Sequence, residues 1–170
     1  VKKTIKEHKR IIFNGDGYTD EWVAEAEKRG LLNLKTTVDA MPLFLDKKNV
    51  KLFTKHRIFT ETEINSRYEI NMENYSKTIN IEALTMIDMV NKQILPAVEK
   101  YVDDLSLAFS HKKALNPNMN CHMEYERVTD LSELSAKVYD EAAELKNAVE
   151  SAASITDFEA NARAYKDLVV

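Results

Sequence analysis

The residues of this chain with the best claim to chemistry fall into a few small groups. Asn14-Gly15-Asp16-Gly17 precedes a helical pattern, where paired glycines suggest a loop that wraps a phosphate. A dinucleotide fingerprint needs a third glycine and a P-loop needs Gly-Lys-Ser/Thr, and neither is met. An EF-hand fails too, because Tyr18 and Thr19 stand where an acid and the turn glycine belong. The segment reads as a turn. Cys121 and His122 are adjacent, between Met119 and Met123, and such soft ligands suit Cu(I). One thiol in a loop with no second Cys-His cluster is a small set, and loop packing is the ordinary reading. Glu69, Glu73 and Glu82 lie among apolar positions of a helix, where a solvated or ion-paired flank is simpler than a polar site. His8, His56 and His111 do not follow a Glu by three residues, so the carboxylate di-iron pattern of helical bundles is missing. His-Glu-x-x-His, Gly-x-Ser-x-Gly and Cys-x-x-Cys are missing as well. Lys55-His56-Arg57 and the run Lys2, Lys3, Lys6, Lys9, Arg10 suit a phosphate or an acidic partner, though charge runs are commonly solvated faces. Tyr68, Tyr75 and Tyr101 fall on an apolar stripe and read as core. The sequence assigns no catalytic, cofactor-binding or metal-ligating residue.

The elements around these groups are helical. Thr60-Glu61-Thr62-Glu63 is a capping box that opens a helix. Apolar residues then recur in steps of three or four, at Ile64, Tyr68, Met72, Tyr75, Ile79, Ala83, Met86, Val90, Ile94, Val98, Tyr101, Leu105 and Phe109. The steps from Ile64 to Met86 follow an eleven-residue pattern, which keeps the stripe nearly straight and predicts a bundle helix, not a zipper. Glu63 with Arg67, Glu73 with Lys77 and Asp88 with Lys92 are spaced to pair across one turn. Pro96 removes a hydrogen bond and clashes with the Lys92 carbonyl. That predicts a kinked continuous helix, or else two helices meeting with Pro96 in a first turn. Leu131, Ser135, Val138, Ala142, Leu145, Val149 and Ala152 mark a second long helix over about 124–152, antiparallel to the first across a loop containing Asn116-Pro117-Asn118. Thr156-Asp157-Phe158-Glu159 is a capping box for a third helix through Ala162 and Tyr165.

Upstream, residues 1–13 suggest a short helix whose apolar end, Ile11-Ile12-Phe13, could be extended. Thr19 or Asp20 caps a helix through Trp22, Val23 and Ala26, closed by Gly30. Thr37 opens another, interrupted or kinked at Pro42, and helix resumes from Leu45 to Phe53. The expected fold is all-α: a bundle built on a long helix (about 60–110), an antiparallel partner (about 124–152) and short N-terminal helices. Residues 1–59 would pack on the 60–170 bundle as one domain.

With three glycines, three prolines, 44% hydrophobic and 31% charged residues, the composition fits a helix-rich chain. A net charge of −4 argues against general nucleic-acid binding. The single cysteine excludes an internal disulfide and fits a reducing compartment. No apolar run approaches the ~20 residues of a membrane span, and no secretory signal pattern stands at the start. The chain has no initiator methionine and stops on Leu168-Val169-Val170, so a piece of a longer polypeptide is expected; a trimmed or processed chain would look the same.

Lys6-Glu7-His8-Lys9-Arg10-Ile11-Ile12-Phe13-Asn14-Gly15-Asp16-Gly17-Tyr18, Arg29-Gly30-Leu31-Leu32-Asn33-Leu34 and Leu52-Phe53-Thr54-Lys55-His56 are among several stretches that resemble the C-terminal region of type III glutamine synthetases. The most specific are Ser66-Arg67-Tyr68-Glu69-Ile70 and Lys77-Thr78-Ile79-Asn80-Ile81-Glu82-Ala83-Leu84-Thr85-Met86, continued by Ile94-Leu95-Pro96-Ala97-Val98. The resemblance runs from about residue 4 to 105. It implies a non-catalytic part of a large cytoplasmic enzyme that joins ammonia to glutamate with ATP and Mg or Mn. Its partners would be the rest of the parent chain and like subunits in stacked rings, with no nucleic acid and no membrane. The family's catalytic, nucleotide and metal motifs lie upstream, so no cofactor is expected in this segment and no active-site residue carries over. A free-standing helical interaction module is the alternative, and a small enzyme in its own right a remote third reading.

Overall fold

The computed structural model describes residues 1–9 and 12–170; Arg10 and Ile11 of the N-terminal run lie outside the described residues. The helices are α1 (Lys2–His8), α2 (Asp20–Lys28), α3 (Thr37–Ala40), α4 (Lys47–Lys55), α5 (Glu61–Met89), α6 (Leu95–Leu115), α7 (His122–Ala153) and α8 (Phe158–Ala164). A 3-10 turn, Met41–Leu45, follows α3, and π turns occupy Val90–Ile94 and Tyr165–Val169. Among the described residues there is no strand, and the fold is all-α as expected.

The start of α5 follows from its sequence. The Glu63 amide donates to Thr60 Oγ1 at 3.2 Å and the Thr60 amide donates to Glu63 Oε2 at 2.7 Å. This hydrogen bond from the Thr60 backbone holds the Glu63 carboxyl below its ordinary range. Because the cap occupies Glu63, the expected pair with Arg67 does not form; the Arg67 guanidinium lies 4.4 Å from the centre of the Phe59 ring instead. Glu73–Lys77, at 2.9 Å, and Asp88–Lys92 do pair.

Helix runs without a break from 61 to 115, about 80 Å at 1.5 Å per residue. Pro96 is accommodated by the π turn just before it. The Leu95 amide donates to the Val90 carbonyl, five residues back. This wider turn loosens the ladder where a regular helix would drive the proline ring into the preceding carbonyl. The extra residue also rotates everything downstream, so the buried stripe steps by five from Val90 to Leu95. Ile94 and Tyr101, expected inside, are therefore exposed, and Leu95 and Val102 turn inward instead. Met86 is exposed as well, because the inward step from Ala83 goes to Ile87. Ile64, Tyr68, Met72, Ala83 and Val90 are buried as expected.

The hairpin of α6 and α7 is closed by cations of α6. Lys113 Nζ donates to the Pro117 and Met119 carbonyls, both at 3.0 Å. On α7, Ala142, Val149 and Ala152 are buried, while Val138 of the expected stripe lies at the exposed margin. Ala142 packs with Val90 and Leu95 around the π turn. At the other end Val38, Tyr68, Met72 and Ala162 form a second core, with Met41, Leu45, Tyr75 and Phe158 against it. Here α8 returns to cover α5. Its cap is Asp157, whose Oδ1 accepts from the Ala160 amide at 2.8 Å. Thr156 is not the cap, and Glu159 pairs with Arg163 at 2.9 Å and with the Tyr68 hydroxyl.

Two short helices end in the same way. After α2, the Leu31 amide bonds to the Ala26 carbonyl and the Gly30 amide to Glu27, with Gly30 at φ +71°. After α4, Ile58 bonds to Phe53 and Arg57 to Thr54, with Arg57 at φ +54°. Glycine takes this left-handed conformation freely, whereas arginine is strained there by roughly 1 kcal/mol.

Candidate interaction surface

The chemical groups singled out in the sequence stay apart in space. Asp16 makes a local turn, its Oδ1 accepting from the Tyr18 amide at 2.9 Å. Cys121 is buried, but His122 faces solvent with its Nε2 3.2 Å from Glu126, and Met123 is exposed. Glu69, Glu73 and Glu82 are all exposed. Tyr68 is buried and donates to Glu159, and burial pushes its hydroxyl up to about 12. Tyr101 accepts from Arg127 Nη1 at 2.8 Å on the surface. Among the described residues no three His, Cys, Asp or Glu side chains lie close enough to hold a metal ion. No helix among them is long and apolar enough to cross a membrane.

Two ion pairs escaped the sequence reading because their partners sit on different elements. Lys166 Nζ lies 2.7 Å from Asp39 Oδ1, while Thr36 Oγ1 donates to Asp39 Oδ2, also at 2.7 Å. These bonds, from Lys166 first, hold the Asp39 carboxyl below its usual range. Lys112 of α6 pairs with Glu124 of α7, a buried carboxylate. Lys112 lowers the Glu124 pKa and Glu124 raises that of Lys112. A carboxylate depressed on folding stabilises the fold above its unfolded value, near 4.3, and loses that contribution as pH falls through the lower folded value. Lys112→Met should therefore destabilise the chain at pH 7 more than Lys112→Met with Glu124→Gln, which leaves no orphan charge. In urea unfolding, the Lys112→Met deficit should shrink below pH 4. A deficit that is the same at pH 7 and pH 3.5 would contradict this account.

What the fold does present is an open seam along the two long helices. Leu95, Glu99 and Val102 face Ser135, Tyr139 and Asp140 across a cleft of about 370 Å³. A second cleft of about 270 Å³ continues it, between Ile87 and Val90 on one side and Val138, Glu141 and Leu145 on the other. Leu134, Val138 and Tyr139 of α7 and Met86, Ile94 and Tyr101 of the long helix add exposed apolar surface. A contiguous exposed apolar patch is the usual mark of an interaction site, which makes the hairpin the candidate surface of this chain.

The family model of the glutamine synthetase C-terminal domain matches residues 1–113. The chain belongs to that family. Over all 170 residues it is 42% identical to a glutamine synthetase of Butyrivibrio fibrisolvens, of which it covers 24%. It is 38% identical over 125 residues to the type-3 glutamine synthetase of Dictyostelium discoideum, covering 74% of this chain and 16% of that protein. A glutamine synthetase of Bacteroides fragilis (strain YCH46) is 33% identical over 105 residues, covering 62% of this chain and 14% of the relative. The chain thus spans about a quarter or less of the length of these curated relatives. The Butyrivibrio alignment includes α7 and α8, so the whole hairpin belongs to this glutamine synthetase segment and not only the part that the family model matches.

Proposed function

We propose that this glutamine synthetase C-terminal domain is the non-catalytic, structural part of a type III enzyme. The parent would join ammonia to glutamate with ATP and Mg or Mn, in the cytoplasm, through residues that lie outside this chain. The segment would act as one domain, with residues 1–59 packed on the 60–170 bundle, and its role would be to hold the parent chain and like subunits in a ring. The observation that carries this reading is the open seam that α7 forms with α6 and with the end of α5, on a chain whose relatives are several times longer. No residue of the segment is assigned to catalysis, cofactor or metal.

The test starts from an extract of the source organism. Antibody raised against this chain should precipitate a polypeptide several times heavier than 19.5 kDa that carries ATP-dependent glutamate–ammonia ligase activity. The purified chain itself should show none. A band near 19.5 kDa without activity would replace this reading with the free-standing interaction module.

A further inference from the structure

The seam is acidic as well as apolar. Glu99 and Asp140 line its first cleft and Glu141 its second, and among the described residues none of the three forms an ion pair. The nearest cations in sequence, Lys100 and Lys137, line neither cleft. Two copies meeting seam to seam across a two-fold axis would set these carboxylates against themselves. The occupant must therefore bring positive charge along with apolar surface.

The chain carries such a surface on α4. Lys47, Lys51 and Lys55 follow one another at helical spacing, with Lys48 and Leu52 beside them. All four lysines are exposed, Leu52 is 51% exposed, and among the described residues none of the lysines is ion-paired. The helix is anchored from its other side, where Phe53 packs on Phe44 and Phe59 with ring centres 5.3 and 5.6 Å apart. The basic face is thus presented outward on a fixed element.

The two complementary surfaces cannot meet within one chain. α4 packs at the start of α5, whereas Glu99 lies some 35 residues further along the same unbroken helix, about 50 Å away. We propose that the basic face of α4 docks into the acidic seam of a second copy of this chain. Joining unlike surfaces head to tail is a heterologous contact, the kind that closes into a ring when the rotation allows. This rests on the assembly role proposed above and names the surfaces that perform it.

Sedimentation equilibrium of the 170-residue chain at low ionic strength tests it. The chain should self-associate, and more weakly at 0.15 M salt, where exposed charges are screened beyond about 8 Å. Lys47→Glu with Lys51→Glu, or Glu99→Lys with Asp140→Lys, should each weaken association at least tenfold. Mixing these two charge-reversed chains, or combining all four changes, should restore it. In addition, a Lys51→Cys chain mixed with an Asp140→Cys chain should form a disulfide heterodimer under mild oxidation. A chain that stays monomeric at low salt would overturn the proposal and leave the seam to residues outside 1–170. Association indifferent to both reversals would also overturn it, by placing the contact elsewhere. Neither failure would touch the antibody experiment, which judges the parent assignment separately.

Discussion

Replacing Met72 by Asp should unfold the base of this molecule at room temperature. Met72 has no exposed surface and lies at the centre of the core formed with Val38, Tyr68 and Ala162. The cluster itself is apolar apart from the Tyr68 hydroxyl, which is already engaged with Glu159. The new side chain would be driven to protonate, and even a neutral carboxyl without partners costs roughly 2–7 kcal/mol in an apolar site. Losing the methionine volume adds about 2–5 kcal/mol. The total is comparable to the whole stability of an ordinary domain, about 5–15 kcal/mol. Met72→Leu keeps the volume and should cost less than about 1.5 kcal/mol. Circular dichroism melts of both variants decide the matter. A Met72→Asp chain melting within two or three degrees of the parent would mean that α8 does not cover α5 as described.

Much of this architecture could be read from the residues, and each failure has its own physical origin. The cap at Thr60, the two long antiparallel helices and the buried positions from Ile64 to Ala83 all depend on neighbours three or four residues apart. Such local spacing is what a sequence displays. The reading lost the face at Pro96, because a proline signals trouble in a helix without saying which way the backbone will yield. One π turn was enough to exchange Ile94 for Leu95 and Tyr101 for Val102. Lys112–Glu124 and Lys166–Asp39 escaped for a different reason. Their partners are distant in the chain and meet only once the helices have packed. Arg57 was invisible as a helix terminator because glycine normally marks that position.

The same distinction explains why the candidate chemistry faded while the interaction surface emerged. Motifs such as Asn14-Gly15-Asp16-Gly17 or Cys121-His122 invite a functional reading by adjacency, yet adjacency along a chain fixes little about convergence in space. Cys121 turns inward and His122 outward within one step. The seam is the reverse case. Glu99 and Asp140 are far apart in sequence and come together only through the hairpin. What the sequence did contain was the apolar stripe on each of the two long helices that meet there. On the assembly role proposed above, this partly open hairpin is the feature that would link fold to role.

A chain ended after Ile155 should lose the base core while keeping the hairpin. The missing residues include Phe158 and Ala162, which pack with Tyr68 and Met72, and the buried Tyr165, whose hydroxyl donates to Asn80 Oδ1 at 3.1 Å. They also include Lys166, which pairs with Asp39, and Asn161, whose Nδ2 donates to the Ala152 carbonyl at the end of α7 at 2.8 Å. Each large apolar side chain returned to water costs about 1.5–3 kcal/mol, before the lost hydrogen bonds are counted. At about 2–4 °C per kcal/mol for a chain of this size, the midpoint should fall by 10 °C or more. Hydrogen exchange should place the damage: amides between residues 37 and 80 lose protection, while those of α6 and the facing part of α7 keep it. Uniform loss along the chain would mean that the two cores fold as one unit, and an unchanged midpoint would mean that α8 is dispensable. The distinction bears on where this domain ends. The family model stops matching at residue 113, yet a chain cut there would lack α7 and α8 and leave both cores open. By its packing, the folded unit extends at least to the π turn at Tyr165–Val169.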